Sequence, residues 1–216
     1  MGGVTMTQFT NDLVAACNAE YARWDNGAGK ETWGRPQHSK DYYLFVKDYW
    51  KSVGNNQLDG RTVSDGVRPA WSSAFVSFCV KTGGAGTKFL YTQAHCHYVK
   101  KAMDQASGAI NNFGYKARKS DAYKPKVGDI IVGGREYALT YNYEKAAMIY
   151  EADSFYPSHG DIVIGLTATH ALTMGGNIKD NVDQKRLKLT DTGYLRNRVT
   201  SSGREIPWVA ILECLM

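Results

Sequence analysis

Apolar positions recur at helical spacing through the first half of the chain and give way to strand-like alternation in the second. Phe9, Leu13, Ala16, Cys17, Glu20 and Trp24 follow a helical period, with Thr10 or Asn11 as the expected cap and Asn26 to Gly29 as the stop. Tyr42, Phe45, Val46, Tyr49, Trp50 and Val53 predict a second amphipathic helix, closed by Gly54. Trp71, Phe75, Phe78 and Cys79 recur at i, i+4, i+7 and i+8 and predict a third, with Pro69 in its first turn and Gly83 and Gly84 ending it. A fourth helix is expected over Thr92 to Ala106.

From Lys124 the period changes. Lys-Pro-Lys-Val-Gly-Asp-Ile-Ile-Val (124–132) reads as a turn feeding a buried strand. Ser-His-Gly-Asp-Ile-Val-Ile-Gly (158–165) is a second strand, with His170 to Gly175 as its return partner; Arg186 to Thr190 and Ile206 to Leu215 supply more. Between the first two strands lies a tyrosine-rich insertion, 133–157, with a helix expected over Lys145 to Ala152 and a lid or substrate wall as one use for it. Helices first and a mainly antiparallel sheet after them make an α+β fold, expected as a single domain over 1–216. Residues 1–60 form a helical N-terminal extension, and 61–216 form the core that carries the chemistry.

Composition narrows the function. At 216 residues, with 43% hydrophobic and 22% charged side chains, the chain can bury a full core. Fourteen tyrosines and five tryptophans suit an aromatic-lined groove as well as a core. A net charge of +5 favours anionic partners, yet no basic run marks a nucleic-acid surface. Four widely spaced cysteines without a CxxC pair argue against a zinc ribbon or a disulfide framework. Met1 to Thr10 lacks the basic and apolar regions of a Sec signal, and no stretch reaches transmembrane length. The expectation is a soluble product of the cytoplasm, not bound to membrane, exported by some other route.

Candidate chemistry gathers at a helix start and a strand start. Ser72 sits in the first turn of the third helix, where unpaired N–H groups and the dipole favour developing negative charge. Alternation along the later strand puts His159, Asp161 and Val163 on one face. A hairpin turning about Ala168 sets position 159 opposite 177, where the Asn177 amide could hold the imidazole in one tautomer. Asp161 could orient His159 in its place, or bind a substrate amine. His95 could face the site from the fourth helix. Asp65 and Arg68 could line the cleft or only cap and solvate their turn. Cys96, between His95 and His97, is the alternative thiol, Cys79 is expected to be buried and inert, and Asp129 is expected to satisfy backbone donors at a strand start.

Four segments, in order, resemble the NlpC-type and CHAP-type papain-like cell-wall amidases and endopeptidases. Trp71-Ser72-Ser73-Ala74-Phe75-Val76 is similar to their W-C-x-A-F-V nucleophile helix, and 124–132 to their P-x-x-G-D-hydrophobic strand. Residues 158–165 resemble the H-x-G strand that carries the catalytic histidine, and Gly-Gly-Asn-Ile-Lys-Asp-Asn-Val (175–182) resembles the stretch that follows. The resemblance implies a papain-like fold, hydrolysis of peptide or amide bonds in peptidoglycan stems, and catalysis by Ser72, His159 and Asn177 without cofactor or metal. Signal-less members of this kind, the TseH-like type VI secretion effectors, act in the periplasm of rival bacteria. That analogy implies a secretion-system carrier and a cognate immunity protein.

One departure sits at the nucleophile, where Ser72 replaces the family's cysteine. A thiol can be held as thiolate beside an imidazolium, whereas a hydroxyl must lose its proton during attack. Three accounts stand open: a true serine nucleophile, a cysteine enzyme inactivated by substitution, and a module of the same fold that binds peptidoglycan or a protein without cleaving. A metal-dependent hydrolase using His95, Cys96, His97, His159 or His170 is a further rival.

Overall fold

The computed structural model describes residues 6–151 and 155–216; Ala152, the expected end of the helix in the insertion, lies outside them. Among the described residues five α-helices precede or interrupt a six-stranded sheet: α1 (Gln8–Arg23), α2 (Tyr42–Ser52), α3 (Ser72–Thr82), α4 (His95–Ser107) and α5 (Tyr143–Glu151). The sheet comprises β1 (Tyr115–Arg118), β2 (Ile130–Gly134), β3 (Ser158–Leu166), β4 (His170–Ile178), β5 (Asn181–Lys188) and, after a small hairpin of β6 (Arg198–Val199) and β7 (Glu205–Ile206), β8 (Ala210–Cys214). Its order is β1-β8-β2-β3-β4-β5 with every pairing antiparallel. The architecture is α+β, as the order of periodicities predicts. Among the described residues no helix is long and apolar enough to cross a membrane.

α3 is the hub. Eight of its first nine residues are buried, all but Phe78, so an amphipathic pattern became an almost fully enclosed helix. Trp71, immediately before it, stacks on Trp24 (5.3 Å between ring centroids) and on Tyr49 (5.4 Å). Its indole N–H donates to the buried Glu31 carboxylate at 2.5 Å. This anchoring makes Trp71 the N-cap and leaves Pro69 ahead of the helix rather than in its first turn. Likewise α1 is capped by Thr7, whose hydroxyl accepts the Thr10 N–H at 3.1 Å, because Thr10 already lies inside the helix. Residues 6–60 thus contribute α1 and α2 to the same hydrophobic core as α3.

The other face of α3 rests on β3 and β4. Gly176 permits this approach: a Cβ there would lie 2.4 Å from the Phe75 Cβ and 2.6 Å from the Trp71 ring. The β3–β4 register pairs Ile162 with Met174 and Val163 with Thr173, the alignment of a hairpin centred on Ala168, with a bulge between Val163 and Gly165. β8 enters the sheet between β1 and β2, and Asp129 secures that junction. Its carboxylate accepts the N–H groups of Lys126 (2.7 Å) and Cys214 (2.8 Å), and burial pushes its pKa up to about 7.

Candidate active site

The start of α3 presents backbone donors. Its first helical hydrogen bond runs from the Phe75 N–H to the Trp71 carbonyl at 2.9 Å, so the N–H groups of Ser72, Ser73 and Ala74 have no intrahelical acceptor. Among the described residues no side chain caps them. A Ser, Asp or Asn cap would stabilise such a helix by about 1 kcal/mol, and its absence leaves the donors for an incoming oxyanion.

Ser72 itself is 3% exposed, and its hydroxyl bonds to His95 Nε2 at 2.7 Å. His95 opens α4 and is buried against the backbone of Gly160, where an added Cβ would come within 2.8 Å of both His95 Nδ1 and the Tyr98 hydroxyl. Burial, reinforced by the nearby His159, holds His95 well below the ordinary histidine pKa and therefore neutral near pH 7. Its Nδ1 is hydrogen-bonded to the Tyr98 hydroxyl. Burial raises the Tyr98 pKa, so the phenol keeps its proton, and with no other acceptor among the described residues it donates to Nδ1. The His95 proton then sits on Nε2 and is donated to Ser72. His95 is thus a donor toward the Ser72 oxygen, and the hydroxyl keeps its own proton to give elsewhere.

His159, on β3, is only 13% exposed at its side chain, and its ring centroid lies 5.8 Å from that of His95. Its Nε2 is 2.9 Å from Asp161 Oδ1. Burial lowers the His159 pKa while Asp161 opposes that shift; the net displacement is downward, and the ring is neutral near pH 7. A carboxylate only accepts, so Nε2 carries the proton and Nδ1 holds the lone pair. That Nδ1 is buried and has no hydrogen-bond partner among the described residues. Asp161, 3% exposed, also receives Lys185 Nζ at 2.9 and 3.1 Å. Burial alone would raise its pKa, but His159 and Lys185 outweigh that and hold the carboxyl well below the usual range.

The residues expected at the site separate into three groups. Ser72 and His95 meet directly, as do His159 and Asp161. Asn177 lines a cavity of about 330 Å³ together with His159 and Asp161 but makes no hydrogen bond to the imidazole. Its φ of +56°, in the irregular stretch of β4 between Gly175 and Ile178, breaks the alternation that would have aimed its amide at His159. Asp161, two residues along the same strand face, holds Nε2 instead. Arg68 approaches Glu31 at 3.7 Å, and Asp65 is exposed in the tight turn between Ser64 and Val67; neither lines the cavities around Ser72 or His159. Asp161 was visible from the alternation. The Ser72–His95 contact had no sequence signal beyond the histidine itself, because it depends on where α4 docks.

Ser72 and His95 line a second cavity, about 300 Å³, walled by Tyr156 and Pro157 from the end of the insertion and by Ser158 at the start of β3. Arg135 lines both cavities and joins the Ser72 side to the His159 side. The four cysteines are free; Cys79 and Cys96 are buried, and burial raises both thiols, which makes them poor nucleophiles. His97 is exposed and bonds Thr92, while His170 bonds Thr169 beside the β3–β4 turn. Among the described residues no group of three or more metal-ligating side chains is assembled.

Residues 32–214 match the family described as an uncharacterized protein conserved in bacteria, DUF2272. The chain belongs to that family. Neither a curated protein nor a solved structure matches the chain. The DUF2272 match starts well ahead of the motif-bearing segments and takes in α2, in keeping with the packing of Tyr49 on Trp71. Both halves of the candidate site, Ser72–His95 and His159–Asp161, fall within it.

Proposed function

We propose that this DUF2272 protein is a papain-like hydrolase that cleaves peptide or amide bonds of peptidoglycan stems. The observation that carries the proposal is the state of His159. Its Nε2 is tied to a buried carboxylate, and its Nδ1 is an enclosed lone pair with no partner among the described residues, on a strand packed against α3, whose uncapped start bears a hydroxyl. A structural histidine buried this deeply would be expected to use both nitrogens.

In this reading Ser72 attacks the scissile carbonyl carbon. Substrate binding brings its hydroxyl to His159 Nδ1, which takes the proton as the C–O bond forms and returns it to the leaving amine. Contacts of this kind are often incomplete before substrate arrives. Asp161 fixes the tautomer and stabilises the imidazolium, the role first assigned to Asn177. The N–H groups of Ser72 and Ser73 receive the oxyanion, and the His95 Nε2–H gives it a side-chain donor. Delivery by a type VI system into the periplasm of a rival, with an immunity protein closing the cleft, belongs to the same proposal by analogy.

A second reading is favoured by one contact. The Ser72 hydroxyl bonds to His95 rather than His159, as it would in a module of the same fold that binds peptidoglycan without cutting it. Incubation of purified sacculi with the wild-type chain and with His159→Ala separates the two. New amino termini released by the wild type alone support the hydrolase. Sedimentation with sacculi and no release by either protein supports the binding module.

A further inference from the structure

The cavity on the His159 side is cationic beyond what the site's own carboxylate balances. Arg135, Lys179, Lys185 and Arg198 line it against the single carboxylate of Asp161. Lys185 is consumed by that carboxylate, with both Asp161 oxygens within 3.1 Å. Arg198 is spent on the fold: its guanidinium donates to the carbonyls of Gly134, Leu139 and Pro207 and lies over the Trp208 ring. Among the described residues it has no carboxylate partner, and its buried Nε lacks any acceptor. Arg135 is exposed, its guanidinium makes no hydrogen bond or ion pair among the described residues, and it borders both the Ser72 and the His159 cavities. A cation left uncommitted at the junction of nucleophile and base is placed to meet the substrate.

We infer that Arg135, backed by the uncompensated charge of Arg198 and Lys179, forms a subsite for a free carboxylate next to the scissile bond. The inference rests on the hydrolase reading and adds a substrate feature to it: a stem peptide whose residue beside the cut carries an acid rather than an amide. Guanidinium meets carboxylate through two parallel N–H donors, a geometry that a neutral carboxamide, with one oxygen and one NH₂, cannot satisfy. The neighbouring charges of Arg198 and Lys179 strengthen the contrast, and removal of the negative charge leaves three cations facing a donor group.

The test uses the Ser72→Ala chain, which binds without turnover, titrated by NMR with two synthetic probes. These are a D-glutamyl stem tripeptide with its α-carboxylate free and the same peptide amidated at that position. The free acid is expected to bind about tenfold or more tightly than the amide. Adding Arg135→Gln should shrink that preference to about threefold or less, whereas Arg135→Lys, which keeps the charge without the fork, should retain part of it. Equal binding of the two probes, binding of neither, or a preference that survives Arg135→Gln would overturn the subsite. Failure of the hydrolase reading is distinguishable. Sacculus cleavage by the wild type with equal probe binding sinks the subsite alone, and acid preference without any cleavage sinks the hydrolase alone.

Discussion

Replacing Asp161 by Asn tests the tautomer logic at the atom on which it depends. The carboxylate serves three donor contacts with two oxygens: His159 Nε2 at 2.9 Å and Lys185 Nζ at 3.1 Å on Oδ1, and Lys185 Nζ at 2.9 Å on Oδ2. An asparagine offers one oxygen and one NH₂. If its oxygen takes the Oδ1 place, the NH₂ faces the donor-only Lys185 ammonium. If the amide flips, the NH₂ faces Nε2, which must then become the acceptor, and the imidazole proton moves to Nδ1 and abolishes the base. Breaking a buried pair costs roughly 3–5 kcal/mol; Lys185 is 32% exposed at its side chain and can turn to water, so a loss of about 1–3 kcal/mol is the expectation.

The catalytic loss should exceed the stability loss. A triad carboxylate replaced by its amide lowers turnover about 10⁴-fold through the wrong tautomer, and a loss of about 10³–10⁴-fold is expected for Asp161→Asn on sacculi. The pH dependence has a definite sign. Asp161 raises the His159 pKa, so its removal moves the acidic limb of activity to lower pH. In stability, Asp161 has a depressed pKa, and its contribution is full above the ordinary carboxylate range and is lost as pH falls through its native value; the Asn variant lacks that acid-sensitive part. ¹⁵N-resolved imidazole spectra read the tautomer without any turnover, with Nδ1 unprotonated in the wild type. A wild type already protonated at Nδ1, or an Asn variant within threefold of wild-type activity with an unmoved acidic limb, would refute the reasoning.

Two other substitutions probe neighbouring parts of the account. Lys185→Gln removes a cation that lowers the His159 pKa, so the acidic limb of the activity profile should move upward, opposite to Asp161→Asn; a downward shift would contradict the assigned couplings. Gly176→Ala places a Cβ 2.4 Å from the Phe75 Cβ, and chemical denaturation should show a loss of about 1–3 kcal/mol from overpacking between α3 and β4; a neutral result would mean that α3 does not rest on that strand.

The elements that local pattern controls were legible before the structure. α3 follows from the spacing of Trp71, Phe75, Phe78 and Cys79, and the pairing of Ile162 with Met174 follows from a hairpin centred on Ala168. What stayed hidden was set by long-range packing. β8 comes from the end of the chain to lie between β1 and β2, and no local signal announces a strand insertion of that range. The depth at which Trp71 is clamped between Trp24 and Tyr49 shifted the start of α3 past Pro69. At the site, alternation put Asp161 on the face of His159, while the left-handed φ of Asn177 turned the other candidate away. His95 meets Ser72 because α4 docks its first residue against Gly160, a contact between elements more than sixty positions apart in the chain.

The central claim is that the side chain at position 72, at the opening of α3, is the nucleophile. Mass analysis of the soluble products released from sacculi by the wild-type chain, Ser72→Cys and Ser72→Ala tests it most directly. The account expects cleavage of one bond type by the serine protein, equal or faster cleavage of the same bond by the cysteine variant, whose thiol is acidic enough to be drawn to thiolate, and none by the alanine variant. Products from Ser72→Ala at the rate and masses of the wild type would contradict it.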